Sequence, residues 1–220
     1  MKKQYNIIPA FSKVLYQSQL NYDENDLSNI INFIEKYKYK SSIGYYVEKH
    51  KENEQNYYKS SVDKFILNND FFKDLKTKIL DEFNFFKNDI LFYTNNDFKI
   101  TTSWISKTEK NQSSFFHNHH NCMYSGIYYL RTVNNTGNLI IEDHNDIRFK
   151  LEPKTYNLYN AREYTFNVQN NSIIFFPSEC HHRVLKHNSD VIRYAIAFNL
   201  IPVGKIGIEG DDSFVNLQTF

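Results

Sequence analysis

The chain is short of the residues that cross-link or punctuate a fold. Its 220 residues include only 6 glycines, 4 prolines, 2 cysteines and 1 tryptophan. Two cysteines, Cys122 and Cys180, cannot build a disulfide framework, so a reducing, cytoplasmic setting is the expectation. No Pro/Gly-rich linker divides the chain. Neither sign of charge dominates: 26 Lys+Arg against 25 Asp+Glu leave a formal charge of +1. Nothing in that balance points to nucleic acid or a membrane surface. No apolar run approaches the roughly 20 residues of a membrane-spanning helix. The opening "MKKQYNIIPAFSKVLYQ" has two lysines but no sustained apolar stretch behind them, so no signal peptide is expected.

Aromatic residues are what the chain has in quantity. There are 17 Tyr and 19 Phe, and apolar residues make up 41% of the total. That is enough to bury a core, it argues against disorder, and it suits β structure. The first part reads as helical. "DENDLSNIINFIEKYKYK" offers Asp23 or Asp26 as an N-cap, with Leu27, Ile30, Ile31 and Ile34 at helical spacing. A second helix starts at about Asp70, with an apolar stripe of Phe71, Phe72, Leu75, Ile79 and Phe83. "IIPAFSKVLYQSQL" before them is a candidate early strand. The charged stretch from Lys40 to Ser61 reads as a loop or lid.

From about residue 90 the period shortens. "DILFYTN", "FKITTSWIS", "SGIYYLRTV", "NLIIEDH", "IRFKLE", "YTFNVQ", "SIIFFPS", "HHRVLKH" and "VIRYAIAFNLIPV" are short, β-branched and aromatic, and separated by turn residues. Eight or more such strands predict a sandwich, barrel or jelly roll. The expected organisation is one domain: a helical support region at 1–88, a β core at 89–203, and a polar tail at 204–220.

Seven of the eight histidines lie between His117 and His187, in two dense groups, "HNHH" and "HHRVLKH". Histidine is the commonest protein ligand for transition metals. On a strand, residues i and i+2 share a face. His117 and His119 can then reach one ion while His120 faces away. In the second group His182 shares its face with Val184, which points it inward and His181 outward. Further on, Ile192, Tyr194, Ile196, Phe198 and Leu200 form one bulky face of a strand. Val191, Arg193, Ala195, Ala197 and Asn199 form the other. Small residues beside a lone guanidinium suit a pocket that holds an anion; an edge strand with a solvated Arg193 is the other reading. Trp104, Phe115 and Phe116 either line the substrate pocket or fill the core, and the core is the expectation. The two thiols are expected as buried inert groups, with a thiolate ligand as the other reading.

In this order and spacing the pieces resemble the iron(II)- and 2-oxoglutarate-dependent oxygenases, in their prolyl-hydroxylase-like branch. The resemblance rests on "HNH" (His117, His119), His182, and Arg193 eleven positions beyond, together with "TTSW", "SGIYYL", "FPSECHHRV", "RYAIAFN" and "IPVGKIG". The nearest pattern is a subgroup of bacterial and phage proteins with His-x-His. The resemblance implies a double-stranded β-helix, a cupin-like jelly roll with N-terminal helices outside. It implies His117, His119 and His182 as ligands of Fe(II), with 2-oxoglutarate and O₂ as co-substrates. Arg193 would grip the distal carboxylate of 2-oxoglutarate, and Tyr129 would hydrogen-bond it. A serine two positions after the arginine in several relatives is Ala195 here. The usual outcome is hydroxylation with release of succinate and CO₂; a small molecule or a peptide side chain is the expected substrate.

His119 departs from the pattern, because most relatives carry a carboxylate there. A third neutral imidazole leaves the site one negative charge short. Glu142, Asp143 and Asp146 are the alternative sources of a carboxylate. Three-histidine sites also occur in cupin-like dioxygenases and isomerases that use no 2-oxoglutarate, which is the competing reading of function.

Overall fold

The computed structural model describes residues 6–8, 12–43, 51–93, 96–133, 136–142, 151–157 and 159–217. The helices form where the apolar spacing predicts them. After β1 (Tyr16–Gln19), α1 spans Glu24–Ile34. The Asp23 carboxylate accepts from the Asp26 N–H at 2.8 Å, satisfying one of the free N–H groups of the first turn. Leu27, Ile30, Ile31 and Ile34 are all buried, as their spacing requires. A 3₁₀ turn at Asp70–Phe72 leads into α2 (Lys73–Phe85). Phe72, Leu75, Ile79 and Phe83 face inward, whereas Phe71 stays on the surface and stacks on Phe33, ring centroids 3.8 Å apart.

Between the helices lie β2 (Tyr39–Ser41) and β3 (Lys59–Ser61), an antiparallel pair at the edge of the main sheet. The expected lid from Lys40 to Ser61 is therefore in part structural sheet; its residues 44–50 lie outside the described residues. The remaining strands are β4 (Asp97–Thr108), β5 (Tyr124–Arg131), β6 (Leu139–Glu142), β7 (Glu163–Phe166), β8 (Ser172–Pro177), β9 (His181–Val184), β10 (Arg193–Ile206) and β11 (Val215–Leu217). Of the stretch "DILFYTN", residues 89–93 form no strand, and its last two lie outside the described residues. α2 runs on through a π-turn at Phe86–Ile90, which buries Phe86, so Asp89 and Ile90 stay helical. Most of "IRFKLE" lies outside the described residues. The polar tail contributes β11, paired with β10.

Two sheets result, both antiparallel. One runs β1-β8-β5-β10-β4-β3-β2, and the other β7-β6-β9. Two hydrophobic cores follow from the alternation along β5 and β10. Tyr124, Tyr128, Leu130, Tyr194, Ile196, Phe198 and Leu200 face the helices. Ile127, Tyr129 and Ala195, with Phe176 of β8, face the small sheet, where they meet Leu139, Ile141 and Phe166. This is a mainly β molecule of jelly-roll type with helices against one face, as the sequence predicts. β10 lies between β4 and β5 and is interrupted by two register shifts, at Tyr194/Ala195 against β5 and at Asn199/Leu200 against β4. Such bulges re-aim neighbouring side chains. They bracket the stretch that faces the small sheet.

Candidate metal centre

His117 and His119 do not sit on a strand, contrary to the parity argument. They lie in the connection from β4 to β5, where Asn111 and Asn121 adopt positive φ (70° and 59°) and turn the chain. The connection is docked beside β9. The His117 N–H donates to the His182 carbonyl at 3.1 Å, and the His182 N–H returns the bond at 2.8 Å. The His119 N–H donates to the Ser178 carbonyl at 3.0 Å. This docking achieves what strand alternation would have done: His117 and His119 converge, and His120 points to solvent. His182 lies inward at 6% exposure, while the His181 ring stacks on Phe116 at 5.1 Å.

The potential ligand atoms of His117, His119 and His182 all lie within 4.8 Å of one another. The Nε2 atoms of His117 and His119 are 3.3 Å apart. Two bonds of about 2.1 Å at a right angle would set their nitrogens about 3 Å apart. Each Nδ1 has a partner: the Phe115 carbonyl for His117 (2.9 Å), the Cys180 carbonyl for His182 (3.0 Å), and Asn199 Oδ1 with Ser125 Oγ for His119 (2.8 Å each). A carbonyl only accepts, so Nδ1 of His117 and of His182 carries the proton and Nε2 keeps its lone pair for an ion. Burial lowers the pKa of all three, that of His119 to about 4 and that of His182 well below the ordinary value. The rings are thus neutral near pH 7, as metal ligation requires. Bare lone pairs facing one another at such separations repel, which suits a cation between them. Among the described residues no carboxylate joins the cluster. Glu142 instead pairs with the Arg183 guanidinium at 2.8 Å, and Asp143 and Asp146 lie outside the described residues.

The same pocket holds Arg193. It opens between the two sheets and is walled by Ile127, Leu139, Phe176, Val184 and Ala197. Arg193 is 3% exposed. Its Nη1 donates to the Gly137 carbonyl and its Nη2 to Thr108 Oγ1 (3.1 Å), while its buried Nε has no partner. No carboxylate pairs with it among the described residues. Burial lowers its pKa, opposed by the Tyr129 and Tyr58 phenols. Tyr129 does not line the pocket itself. Its ring lies 5.9 Å from the guanidinium, and its buried hydroxyl lacks a hydrogen bond. A buried cation with an unused N–H beside an unused phenol has the donors to hold an anion. The donor set fits a dicarboxylate reaching toward the histidines.

Several residues near the site had no role, or a core role, in the sequence reading. Tyr58, in the expected lid, lines the pocket and hydrogen-bonds Trp104. Trp104 lines the pocket as well, packing edge-on to His119 at 5.6 Å, and Phe115 lies 4.9 Å from the His117 ring. Neither is simple core filling, and Phe116 is 37% exposed. His187, fully buried, gives one ring nitrogen to the Val191 carbonyl at 2.7 Å and leaves Nδ1 without a partner near Arg193 and Gly137. Cys180 is buried as expected; Cys122 is half-buried.

Comparison with known proteins agrees with this geometry. Residues 102–199 match the model of a protein family described as "Putative 2OG-Fe(II) oxygenase". No curated protein matches the chain. Among solved structures, the fold is similar to HygX from Streptomyces hygroscopicus, crystallised with nickel, 2-oxoglutarate and hygromycin B. The TM-score is 0.59 at 10% identity, over 86% of this chain and 83% of that one. It is similar to SnoN, a non-haem α-ketoglutarate-dependent epimerase from nogalamycin biosynthesis, with a TM-score of 0.59, 8% identity, and 90% and 82% of the two chains covered. An oxidoreductase of the 2OG-Fe(II) oxygenase family from Burkholderia pseudomallei aligns with a TM-score of 0.53 at 11% identity, over 86% and 84%. The stretch that matches this family model, Thr102 to Asn199, is the one that carries the histidine cluster and Arg193.

Proposed function

We propose that the chain is a non-haem iron(II)- and 2-oxoglutarate-dependent oxygenase that hydroxylates a small molecule or a peptide side chain. The observation that carries this reading is one pocket with three convergent histidine nitrogens and a buried arginine that has no carboxylate partner among the described residues. In this reading His117, His119 and His182 hold Fe(II). Arg193, helped by Tyr129, grips the distal carboxylate of 2-oxoglutarate, so that its 2-oxo acid end faces the metal. Iron held there would supply the activation of O₂, with one oxygen atom going to succinate, CO₂ released and the other atom going to the substrate. The walls of Ile127, Leu139, Phe176 and Val184 keep bulk water from the reacting groups.

Anaerobic addition of Fe(II) and 2-oxoglutarate tests the reading through the weak visible charge-transfer band of the chelate. The band is expected in the unaltered chain. In Arg193→Ala it is expected to need at least tenfold more 2-oxoglutarate, with metal binding unchanged. Metal bound without any band would overturn the reading in favour of a three-histidine enzyme that does not use 2-oxoglutarate. Failure to bind metal would overturn both.

A further inference from the structure

Three imidazoles can hold one ion only if each presents a bare nitrogen to it. His117 and His182 are committed by backbone carbonyls. His119 is not, because its Nδ1 faces two side chains. A hydroxyl both donates and accepts, so Ser125 Oγ at 2.8 Å does not choose the tautomer by itself. Asn199 does. Its Nδ2 donates to Thr102 Oγ1 at 2.9 Å, which turns Oδ1 toward His119 at 2.8 Å. The Ser125 hydroxyl donates to the same Oδ1 at 2.9 Å, leaving its lone pairs toward His119 Nδ1. These residues form a straight row across the large sheet. Thr102 of β4 is paired with Asn199 of β10, and Asn199 with Ser125 of β5. Beyond them the Ser178 hydroxyl lies 2.9 Å from that of Ser125. A row held by backbone pairing on both sides keeps the amide from turning.

We propose that Asn199 is a positioning residue that fixes His119 in the Nδ1–H tautomer, through the Thr102–Asn199–Ser125 row, so that a neutral imidazole serves where a carboxylate would need no such orientation. The inference rests on the metal-site reading above. An imidazole has two nitrogens and must be told which one to bare; a carboxylate has no equivalent choice. The asparagine is thus the partner that a histidine at this position demands, and it explains a second polar residue, beside Arg193, on the face that carries Ala195 and Ala197.

The test uses the full-length chain and two readouts. Long-range ¹H–¹⁵N spectra of the metal-free protein report each histidine tautomer, and Co(II) titration reports affinity and the visible band. The unaltered chain is expected to show Nδ1–H at all three rings. Asn199→Leu is expected to shift His119 toward the other tautomer and weaken Co(II) binding 10- to 100-fold. Asn199→Asp keeps the acceptor and is expected to restore the tautomer, with Co(II) affinity within about threefold of the original. His117 and His182, unshifted, serve as internal controls of folding. Should Asn199→Leu not fold, Thr102→Val, which frees the amide to turn, is expected to act in the same direction with smaller size. A proton on Nε2 of His119 in the unaltered chain, or a folded Asn199→Leu with unchanged tautomer and Co(II) affinity, would overturn the proposal. Absence of a 2-oxoglutarate band, with these results otherwise as expected, would remove the co-substrate and leave the role of Asn199 standing.

Discussion

Burial sets how the histidines answer to acid. In an unfolded chain each imidazole takes a proton near pH 6.5. In the folded chain His119 resists down to about 4, and His117 and His182 are also lowered, first through loss of solvent around the ring. The unfolded chain therefore binds more protons over that window. The stability the neutral rings contribute is complete above pH 6.5 and drains away as pH falls toward the folded values. For His119 alone the shift corresponds to about 3 kcal/mol. Urea midpoints of the metal-free chain are expected to decline from pH 6.5 to pH 4, and His119→Gln is expected to flatten part of that decline. Gly137 makes a second demand at this scale. It holds φ at +62°, its carbonyl receives Arg193, and a Cβ there would sit 2.6 Å from Arg193 Nη1. Gly137→Ala is expected to weaken 2-oxoglutarate binding at least tenfold while leaving the metal titration unchanged.

Among the elements, what was legible in the sequence follows periodicity. The stripe of α1 and the two faces of β10 could be read because a buried surface imposes a repeat of 3.6 or 2. The π-turn after α2 was not, since "DILFYTN" has the composition of a strand while its first two residues continue a helical turn that buries Phe86. The histidine pair was found for a reason that does not hold: residues two apart converged through a docked connection, not through strand geometry. Tyr58 and His187 reach the site by tertiary placement alone, and no spacing announces them. Asn199 was visible as a polar residue on the right face, but its function depends on which side chains β4 and β5 set beside it. Close packing between strands gives a further expectation. A Cβ on Gly126 of β5 would lie 2.3 Å from the Phe198 ring and 3.0 Å from Phe175. Gly126→Ala is expected to cost about 1–3 kcal/mol, read as a lower denaturant midpoint with an unchanged slope.

For the molecule as a whole, the two cores share β5 and β10, so the helical layer and the small sheet depend on the same central strands. β10 is bonded on both sides, to β4 from Arg193 to Val203 and to β5 from Tyr194 to Leu200. Its amides are expected to be among the slowest to exchange with deuterated solvent, opening only with global unfolding, whereas the amides of residues 115–123 exchange through local opening. Native-state hydrogen exchange checks this directly. Arg193 and Asn199 sit on the strand that opens last; His117 and His119 sit on a connection that a few backbone bonds hold to β9 and Ser178. Under the proposed metal-site reading, an ion held by His117 and His119 need not wait for the protein to unfold before it leaves. Its residence time is governed by the fluctuation of a loop, while the anion anchor lasts as long as the fold, so that metal exchange and loss of structure become separate clocks.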